Sequence, residues 1–507
     1  MTRQHRVFCA VATGLLAVHL SNIWRVPIYP FTDLPNHLAE AYLFRVLPNA
    51  DEPLREHYRL DVTWYSPATL HAYFASRFDD VEFGTTVFYT LYLLVLPLSL
   101  VRLVSWARGE AWVALLSLLL LYNFSATWGF SGFTAGIALV LLALVVLVRY
   151  FTSPSLLSAL ALASVVILLY YAHVVLFGFA AAVILVAAIS HKGLSPRNRG
   201  LCLATLLPAG ALAAFWWVRF ESLEPDQSVL SFLSEYYRHD YLRTLMSRAA
   251  SLLNDNKRLA PRPFGSLLSL CFITPLLLGA ILVVGRDRMR SLFRSDNASK
   301  HVACVFLALA SACYLLLPDR LPGWWALYQR FTVLVLLGLI WVTATLVPPK
   351  RLNASRIVVI VLVVVHAGAW FQYFSAFKSA TNPYRTLIAR APELTNQPAG
   401  AIIDDYNFRG YPVFFHFQNY QLVWNHGVVP SRITFFRSSL VRRQDGESVE
   451  YMEWVAPERY KALLDNYSPM PFLICHGAGA LTYVGRDGRF SFVRRQGDWA
   501  LLKRVQP

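Results

Sequence analysis

The chain has 507 residues, of which 56% are hydrophobic and only 15% are charged, and its mean hydropathy is +0.44. Soluble proteins carry about 25% charged residues, so this composition excludes an ordinary soluble protein and indicates a membrane protein. The net charge of +16 reflects Lys and Arg residues that concentrate in short loops, which favours membrane topology over nucleic-acid binding. The six Cys residues have no zinc-site spacing and predict no disulfide framework.

Eleven apolar segments are each long enough to cross a bilayer, because a span needs about 20 mostly apolar residues. Residues 7–24 follow Arg3 and Arg6 as in a signal peptide, but no small-residue cleavage site comes next, so we expect a retained span. The short joins near 126–133 and 172–174 predict helical hairpins. The predicted spans are 7–24, 87–106, 110–126, 133–150, 155–172, 174–190, 200–220, 265–285, 301–317, 331–348 and 356–374.

The loops on one side of these spans are consistently rich in Lys and Arg, and basic loops stay in the cytoplasm. On the other side, loop 25–86 holds nine acidic residues against five Arg. We therefore expect the N-terminus in the cytoplasm and the C-terminal domain in the periplasm of a bacterium with this protein in its inner (plasma) membrane. The predicted outer segments are the loops 25–86, 221–264 and 318–330 and the C-terminal region 375–507.

The sequence predicts two domains, a polytopic α-helical membrane domain over residues 1–374 and a small extracytoplasmic α/β domain over 375–507. In the second, β-rich runs alternate with turn signals and with one helical pattern at 457–466, which is typical of an α/β domain. The β-rich runs are 399–408, 420–428, 472–485 and 489–504.

Ionisable residues gather directly after the first span, in the stretch YPFTDLPNHLAEA at residues 29–41. The apolar spacing over 35–47 predicts an amphipathic helix on the membrane surface, with Asp33 at its start and His37 and Glu40 one and two turns along it. A carboxylate at the membrane boundary can take a proton from an attacking hydroxyl, so Asp33 is a candidate general base. The alternatives are that Asp33 only caps the helix and that Glu40 is a solvated surface acid.

Later segments offer further candidates, each with a plainer alternative. Arg320 and Arg330 lie in loop 318–330, and their guanidinium groups either bind a phosphate or only extend to the interface. His173, at a tight outer hairpin, either binds substrate or bonds a loop carbonyl group. Trp128 either forms a wall for a sugar or only packs. A second amphipathic pattern, at 67–78, extends the first outer loop.

The early acid, the long first outer loop, the many spans and the C-terminal outer domain together resemble the GT-C superfamily of integral-membrane glycosyltransferases. FTDLPNHLAEA (31–41) is similar to the first-loop segment that carries the catalytic acid in that family, and WGFSGFTAGIALVLLAL (128–144) is similar to a hairpin segment of bacterial GT-C-like chains. The resemblance implies inverting transfer of a sugar from a polyprenyl-phosphate-linked donor to an extracytoplasmic glycan, lipid or protein. It implies Asp33 as general base and Arg320 or Arg330 as the residue that holds the carrier phosphate. The expected donor- and substrate-binding residues are His37, Glu40, His173, Trp128, Arg320 and Arg330.

Two departures from the family pattern leave the metal and the second acid open. Many members have adjacent acids in the first loop, whereas Asp33 has no acidic neighbour before Glu40. The loop 125–132 carries no acid where several members have one. The sequence therefore supports no metal site, and the second carboxylate is either Glu40 or a later acid such as Glu221 or Glu224.

A transporter or flippase of a lipid-linked glycan is the main alternative, and that class places ionisable residues inside its spans. We expect the spans to hold almost none apart from His366, while polar residues gather in the outer loops, which favours an enzyme. A non-catalytic envelope-assembly protein is a third hypothesis, because residues 375–507 carry 16 basic against 11 acidic side chains. The expected partners are the bilayer, the lipid-linked donor and an outer acceptor, without nucleic acid.

Overall fold

A bundle of apolar helices makes up most of the molecule. The computed structural model describes residues 3–49, 52–222, 233–237, 241, 245, 248, 252, 261, 297–321, 325–346, 352–389, 391–434, 439–444 and 455–505. The predicted span 265–285, most of the predicted loop 221–264 and the acid Glu224 lie outside these residues.

Ten of the eleven predicted spans coincide with apolar helical segments. Seven of the helices in the described ranges are long and apolar enough to cross a membrane, and the segments 111–127, 156–172 and 174–190 are shorter apolar ones. The helices before the C-terminal region are α1 (Arg3–Trp24), α2 (Leu34–Val46), α3 (Leu70–Ala75), α4 (Val81–Trp106), α5 (Ala111–Ala114), α6 (Phe124–Thr127), α7 (Ser131–Thr152), α8 (Leu156–Ala172), α9 (Val174–Ser190), α10 (Pro196–Ala204), α11 (Leu207–Ser222), α12 (Ala298–Leu316), α13 (Leu327–Leu346) and α14 (Leu352–Ile388).

The span predicted at 110–126 is a broken helix. A 3-10 stretch at Leu115–Leu120 follows α5, and α6 begins only after Asn123. The side-chain Oδ1 of Asn123 accepts hydrogen bonds from the amides of Ser125 and Ala126, at 2.9 and 3.3 Å. A short polar side chain that bonds the amides ahead of it starts a new helix instead of continuing the old one.

The first outer loop carries α2 and α3, which confirms the helices predicted at 35–47 and 67–78. The surface position predicted for α2 is wrong, because eight of its thirteen residues are buried, on more than one face. It packs against α3 on one side and against the C-terminal region on the other. The sequence could not show this second cover, which comes from residues almost 400 positions further along.

The C-terminal region is a small α/β unit, as predicted. Its four-stranded sheet has the order β2 (Ala399–Ile403), β4 (Phe472–His476), β6 (Trp499–Arg504) and β5 (Phe490–Gln496), in which β2 and β4 are parallel and the other pairs are antiparallel. A separate pair joins β1, in the first outer loop, to β3. The elements are β1 (Tyr58–Leu60), β2 (Ala399–Ile403), α15 (Asn419–Asn425), β3 (Val441–Arg443), α16 (Tyr460–Tyr467), β4 (Phe472–His476), α17 (Ala478–Asp487), β5 (Phe490–Gln496) and β6 (Trp499–Arg504).

The run 420–428, predicted as β-rich, folds mainly as the helix α15, so that prediction is wrong. Its aromatic and branched residues suit a strand, but two amide side chains one turn apart favour the helix. Asn425 Nδ2 donates to Gln421 Oε1 at 2.7 Å, which is the i,i+4 pairing of a helix. The helix ends at His426, which is left-handed with φ 55°.

One hydrophobic core joins the membrane helices to the C-terminal region. It extends from Phe8 in α1 through Leu337 in α13 to Val413 and Leu501. The helix α14 is continuous for 37 residues and crosses the boundary predicted between residues 374 and 375, so the two-domain division stays a prediction. Asp61 adds a polar tie, because its carboxylate pairs with Arg219 of α11 at 2.7 Å and with Arg442 of β3 at 3.2 Å.

Tyr58 provides a test of this connection between the first loop and the C-terminal region. Its hydroxyl is buried, donates to the Val429 carbonyl at 3.0 Å and accepts from the Val429 amide at 3.1 Å. Tyr58→Phe leaves both backbone groups without this partner, and we expect it to lower the free energy of unfolding by about 1–3 kcal/mol. Thermal unfolding in detergent measures the change. Tyr73→Phe, at an exposed ring, is the matched control and should change it little; equal effects of the two substitutions would contradict the prediction.

Candidate active site

Asp33 immediately precedes α2, yet its side chain does not cap that helix. A capping carboxylate accepts from the amides two or three residues ahead. Pro35 has no amide hydrogen, and the Asn36 amide donates to the backbone carbonyl of Asp33 at 3.0 Å. Asp33 is thus the N-cap residue by position, but its side chain makes no capping hydrogen bond.

The Asp33 carboxylate meets His416, from the C-terminal region. The distance from Asp33 Oδ1 to His416 Nε2 is 3.0 Å. The imidazole is 1% exposed and the carboxylate 14% exposed. Sequence reasoning missed His416, because it lies in a region predicted as a separate domain. The available signal was the pair of polar residues His416 and Asn419, at helical spacing within an aromatic stretch.

His37 and Glu40 form a second pair, one turn along α2. His37 Nδ1 lies 2.9 Å from Glu40 Oε2, and the His37 side chain is 29% exposed. Burial alone lowers the pKa of His37, but the hydrogen bond and the charge of Glu40, with the charge of Asp33, raise it above its ordinary value. These interactions therefore favour the protonated form of His37 beside the Glu40 carboxylate.

A tight turn between α6 and α7 holds the backbone of Asp33. The Asp33 amide donates to the Trp128 carbonyl at 2.8 Å, and the Thr32 amide donates to the Thr127 carbonyl at 3.2 Å. Gly129 makes this approach possible: its φ is +77°, and a Cβ there would lie 2.6 Å from the Leu34 nitrogen. Glycine is the residue that accepts both this conformation and this contact.

Arg330 is buried beside the same turn. It lies in the first turn of α13, is 6% exposed, and its guanidinium lies 3.7 Å from the centre of the Phe130 ring. Its Nη2 donates to the Trp325 carbonyl at 3.0 Å. The Trp325 ring packs edge-on against Trp128, with 4.6 Å between centroids. The site thus has a cation held against an aromatic wall of which Trp128 is part.

His173 joins this wall from the hairpin between α8 and α9. Its Nδ1 accepts a hydrogen bond from the Val175 amide at 3.3 Å, so the ring caps α9. Its edge contacts Phe133, with 5.0 Å between centroids, and the Phe133 ring also lies 5.6 Å from the Arg330 guanidinium. Burial and then the charge of Arg330 lower the pKa of His173, which favours a neutral ring.

The structure brings six of the seven predicted site residues into one cluster. The charge of Arg330 lowers the pKa of both His37 and His173, and the charge of Asp33 raises the pKa of His37. Asp33 and Arg330, at the two ends of the cluster, therefore both lie close enough to His37 to interact with it electrostatically. Arg320 is different, because its side chain is 77% exposed and lies beside Asp319. The clustered residues are Asp33, His37, Glu40, Trp128, His173 and Arg330.

The sequence left open the identity of a second carboxylate and the presence of a metal site. Glu221 lies in the last turn of α11, whereas Glu224 falls outside the described ranges. Among the residues that the structure describes, no group of three or more His, Cys, Asp or Glu side chains is placed to hold a metal ion. Glu40 stays a candidate second carboxylate, on the helix that Asp33 directly precedes.

The helical bundle, the helix-bearing first outer loop and the C-terminal α/β region together match the fold of one solved structure, which confirms the expected fold class. The structure is similar to the crystal structure of ArnT from Cupriavidus metallidurans bound to undecaprenyl phosphate, with a TM-score of 0.53 and 12% sequence identity. The match covers 99% of this chain and 98% of ArnT. No family model and no curated protein matches the sequence.

Gly129 gives a prediction about the turn that holds Asp33. Gly129→Ala forces a side chain into a positive φ and against the backbone of Asp33 and Leu34, and we expect a loss of about 2 kcal/mol or more in unfolding free energy. Thermal unfolding in detergent measures it. Gly178→Ala is the matched control, since a Cβ there meets nothing within 4 Å and alanine favours a helix. A variant at Gly129 as stable as the control would contradict the prediction.

The pair of His37 and Glu40 predicts a pH-dependent contribution to stability. The raised pKa of His37 means that this contribution is fully present below 6.5 and is lost as pH rises through the raised value. Glu40→Gln should therefore lower the melting temperature more at pH 6 than at pH 8.5. Glu56→Gln, an exposed acid of the same loop, is the control. A deficit that is the same at both pH values would count against the ion pair.

Proposed function

We propose that this protein is an inverting membrane glycosyltransferase that moves a sugar from a polyprenyl-phosphate-linked donor to a hydroxyl of an extracytoplasmic acceptor. The observation that carries the proposal is the Asp33 carboxylate, held by His416 in the same cluster as the buried guanidinium of Arg330. The fold shared with ArnT, whose crystal structure holds undecaprenyl phosphate, supports a polyprenyl phosphate as the carrier. The acceptor is a glycan, a lipid or a protein.

Asp33 acts as the general base of the transfer. As the acceptor hydroxyl attacks the anomeric carbon, its O–H bond breaks and the proton passes to the Asp33 carboxylate. A new bond forms between the acceptor oxygen and the sugar, and the bond from the sugar to the carrier phosphate breaks. Attack from the face opposite the phosphate inverts the anomeric carbon, so one enzyme carboxylate suffices for the proton.

Arg330 binds the carrier phosphate and stabilises the charge that develops as it leaves. A guanidinium offers several donors in a plane that suits phosphate oxygens, and its low exposure strengthens the attraction. Trp128 and Phe130 form an aromatic wall beside Arg330, and in this proposal the sugar ring stacks on that wall. His173 and the His37–Glu40 pair are the polar groups available to sugar or acceptor hydroxyls.

The mechanism requires the orientation expected from the basic loops, with the first outer loop and the C-terminal region on the extracytoplasmic side. The donor then reaches Asp33 and Arg330 from the outer leaflet. Arg320 is the alternative phosphate ligand, in an exposed position next to Asp319.

Asp33→Asn tests the central role. We expect transfer to fall about 100-fold or more, because general base catalysis typically contributes 10²–10⁴, while binding of undecaprenyl phosphate is kept. The assay follows release of undecaprenyl phosphate from a panel of undecaprenyl-phosphate-linked sugars by the protein in lipid nanodiscs, with bacterial envelope lipids and glycans as acceptors. Asp79→Asn, at an exposed acid of the same loop, is the matched control. Normal transfer by Asp33→Asn would exclude the proposed mechanism.

Arg330→Gln tests the phosphate site. We expect affinity for undecaprenyl phosphate in nanodiscs to fall about 10- to 100-fold, since a lost charged hydrogen bond costs on the order of 1.5–3 kcal/mol. Arg330→Lys should recover part of the affinity, because it keeps the charge without the planar fork. Arg320→Gln is compared in the same assay. A loss at Arg320 with none at Arg330 would transfer the role to Arg320.

A transporter of a lipid-linked glycan is the second candidate, and one observation favours it. The expectation that His366 stands almost alone within the spans was incomplete, because His19 in α1 is also buried and its ring lies 5.7 Å from that of His366 in α14. Buried imidazoles inside spans are typical of transport pathways. Translocation of a fluorescent undecaprenyl-phosphate sugar in proteoliposomes, lost in His19→Phe, would support a transporter.

A further inference from the structure

We propose that His416, in the C-terminal region, is the positioning residue for Asp33: it holds one carboxylate oxygen so that the other faces the acceptor hydroxyl. This inference rests on the proposed function for Asp33. It also gives the C-terminal region a part in the site itself, which the predicted two-domain arrangement does not include.

The need for such a residue follows from the start of α2. A carboxylate at a helix N-terminus is normally fixed by the amides ahead of it, but Pro35 has none and the Asn36 amide is bonded to the Asp33 carbonyl. The turn at Trp128 fixes the Asp33 amide and so settles the backbone, while the direction of the carboxylate depends on the contacts of the side chain itself. A second contact is required to fix the direction of the carboxylate.

His416 has the geometry to provide that contact. Its Nε2 lies 3.0 Å from Asp33 Oδ1, which is hydrogen-bonding distance, and the ring is buried. The neighbouring Phe415 ring packs against it, with 5.3 Å between centroids. In the tautomer with the proton on Nε2, the N–H donates to Oδ1, and in the proposed step Oδ2 takes the proton of the acceptor.

Two further polar pairs hold the segment that carries His416 in register with α2. Asn419 Nδ2 donates to Asn36 Oδ1 at 2.6 Å, one helical turn beyond the Asp33 contact. Tyr42 and His426 meet at 2.5 Å further along the same two segments. Three successive contacts of this kind fix the position of His416 relative to Asp33 more firmly than one contact does, because a shift of the segment would break all three.

Other charged or titratable groups act near Asp33, and any test must separate them from His416. They come from three other elements, so a change confined to His416 leaves them in place. The groups are His37 and Glu40 on α2, Tyr89 on α4, whose hydroxyl interacts electrostatically with Asp33, and Arg330 on α13.

The test is the pH dependence of carbodiimide labelling of Asp33 in the purified full-length protein, read by mass spectrometry. A carbodiimide labels the protonated carboxyl, so labelling declines as the carboxyl ionises. A hydrogen bond to the ionised form favours that form. We expect His416→Leu to move the labelling midpoint upward by about one pH unit, the change that one charged hydrogen bond produces. His416→Gln, whose amide can donate from a similar position, should restore most of the shift.

His301→Leu is the control, because it removes an imidazole of α12 whose partner is Ser190 of α9, and its midpoint should equal that of the wild type. His416→Asn covers the case in which the leucine variant fails to fold, since its shorter amide does not reach Oδ1 and the upward shift should remain. If the folded His416→Leu and His416→Asn variants have the same labelling midpoint as the wild type, the inference is overturned. Normal transfer by Asp33→Asn would instead overturn the proposed function and leave the labelling result unaffected.

Discussion

The missing amide of Pro35 governs the chemistry of the first turn of α2. A carboxylate in front of a helix ordinarily accepts hydrogen bonds from the backbone amides of the first turn. These bonds lower the pKa of the carboxyl group and so make the carboxylate a weaker base. Here one amide is absent and the next is bonded to the Asp33 carbonyl. The side chain reaches across to His416, so the carboxylate is held by a side chain from the C-terminal region and not by the helix backbone.

Around that point the site is built from segments that are distant in sequence. The turn at Gly129 aligns the backbone of Asp33, and the same turn carries Trp128 and Phe130 towards Arg330. The turn thereby brings the segment that carries Asp33 next to the aromatic side chains that pack on Arg330. This arrangement suits a reaction in which one end accepts a proton and the other accepts a phosphate.

The sequence predicted local features well and long-range contacts poorly. Apolar length located ten spans, and Asp33, His37 and Glu40 could be found because they follow a span within a few residues. The cover over α2 and the contact of His416 could not be found, because they depend on packing between distant segments. The run 420–428 shows the same limit in another form, since its strand-like residues fold as a helix once Gln421 and Asn425 pair.

The contact between Asp33 and His416 joins positions 383 residues apart. During synthesis, the first span and its outer loop are made long before the last one has entered the membrane, so a partly made chain has Asp33 without His416. The contact arises only when residue 416 has been made and has folded onto α2. A chain that stops before this position therefore carries the carboxylate without the imidazole that holds it.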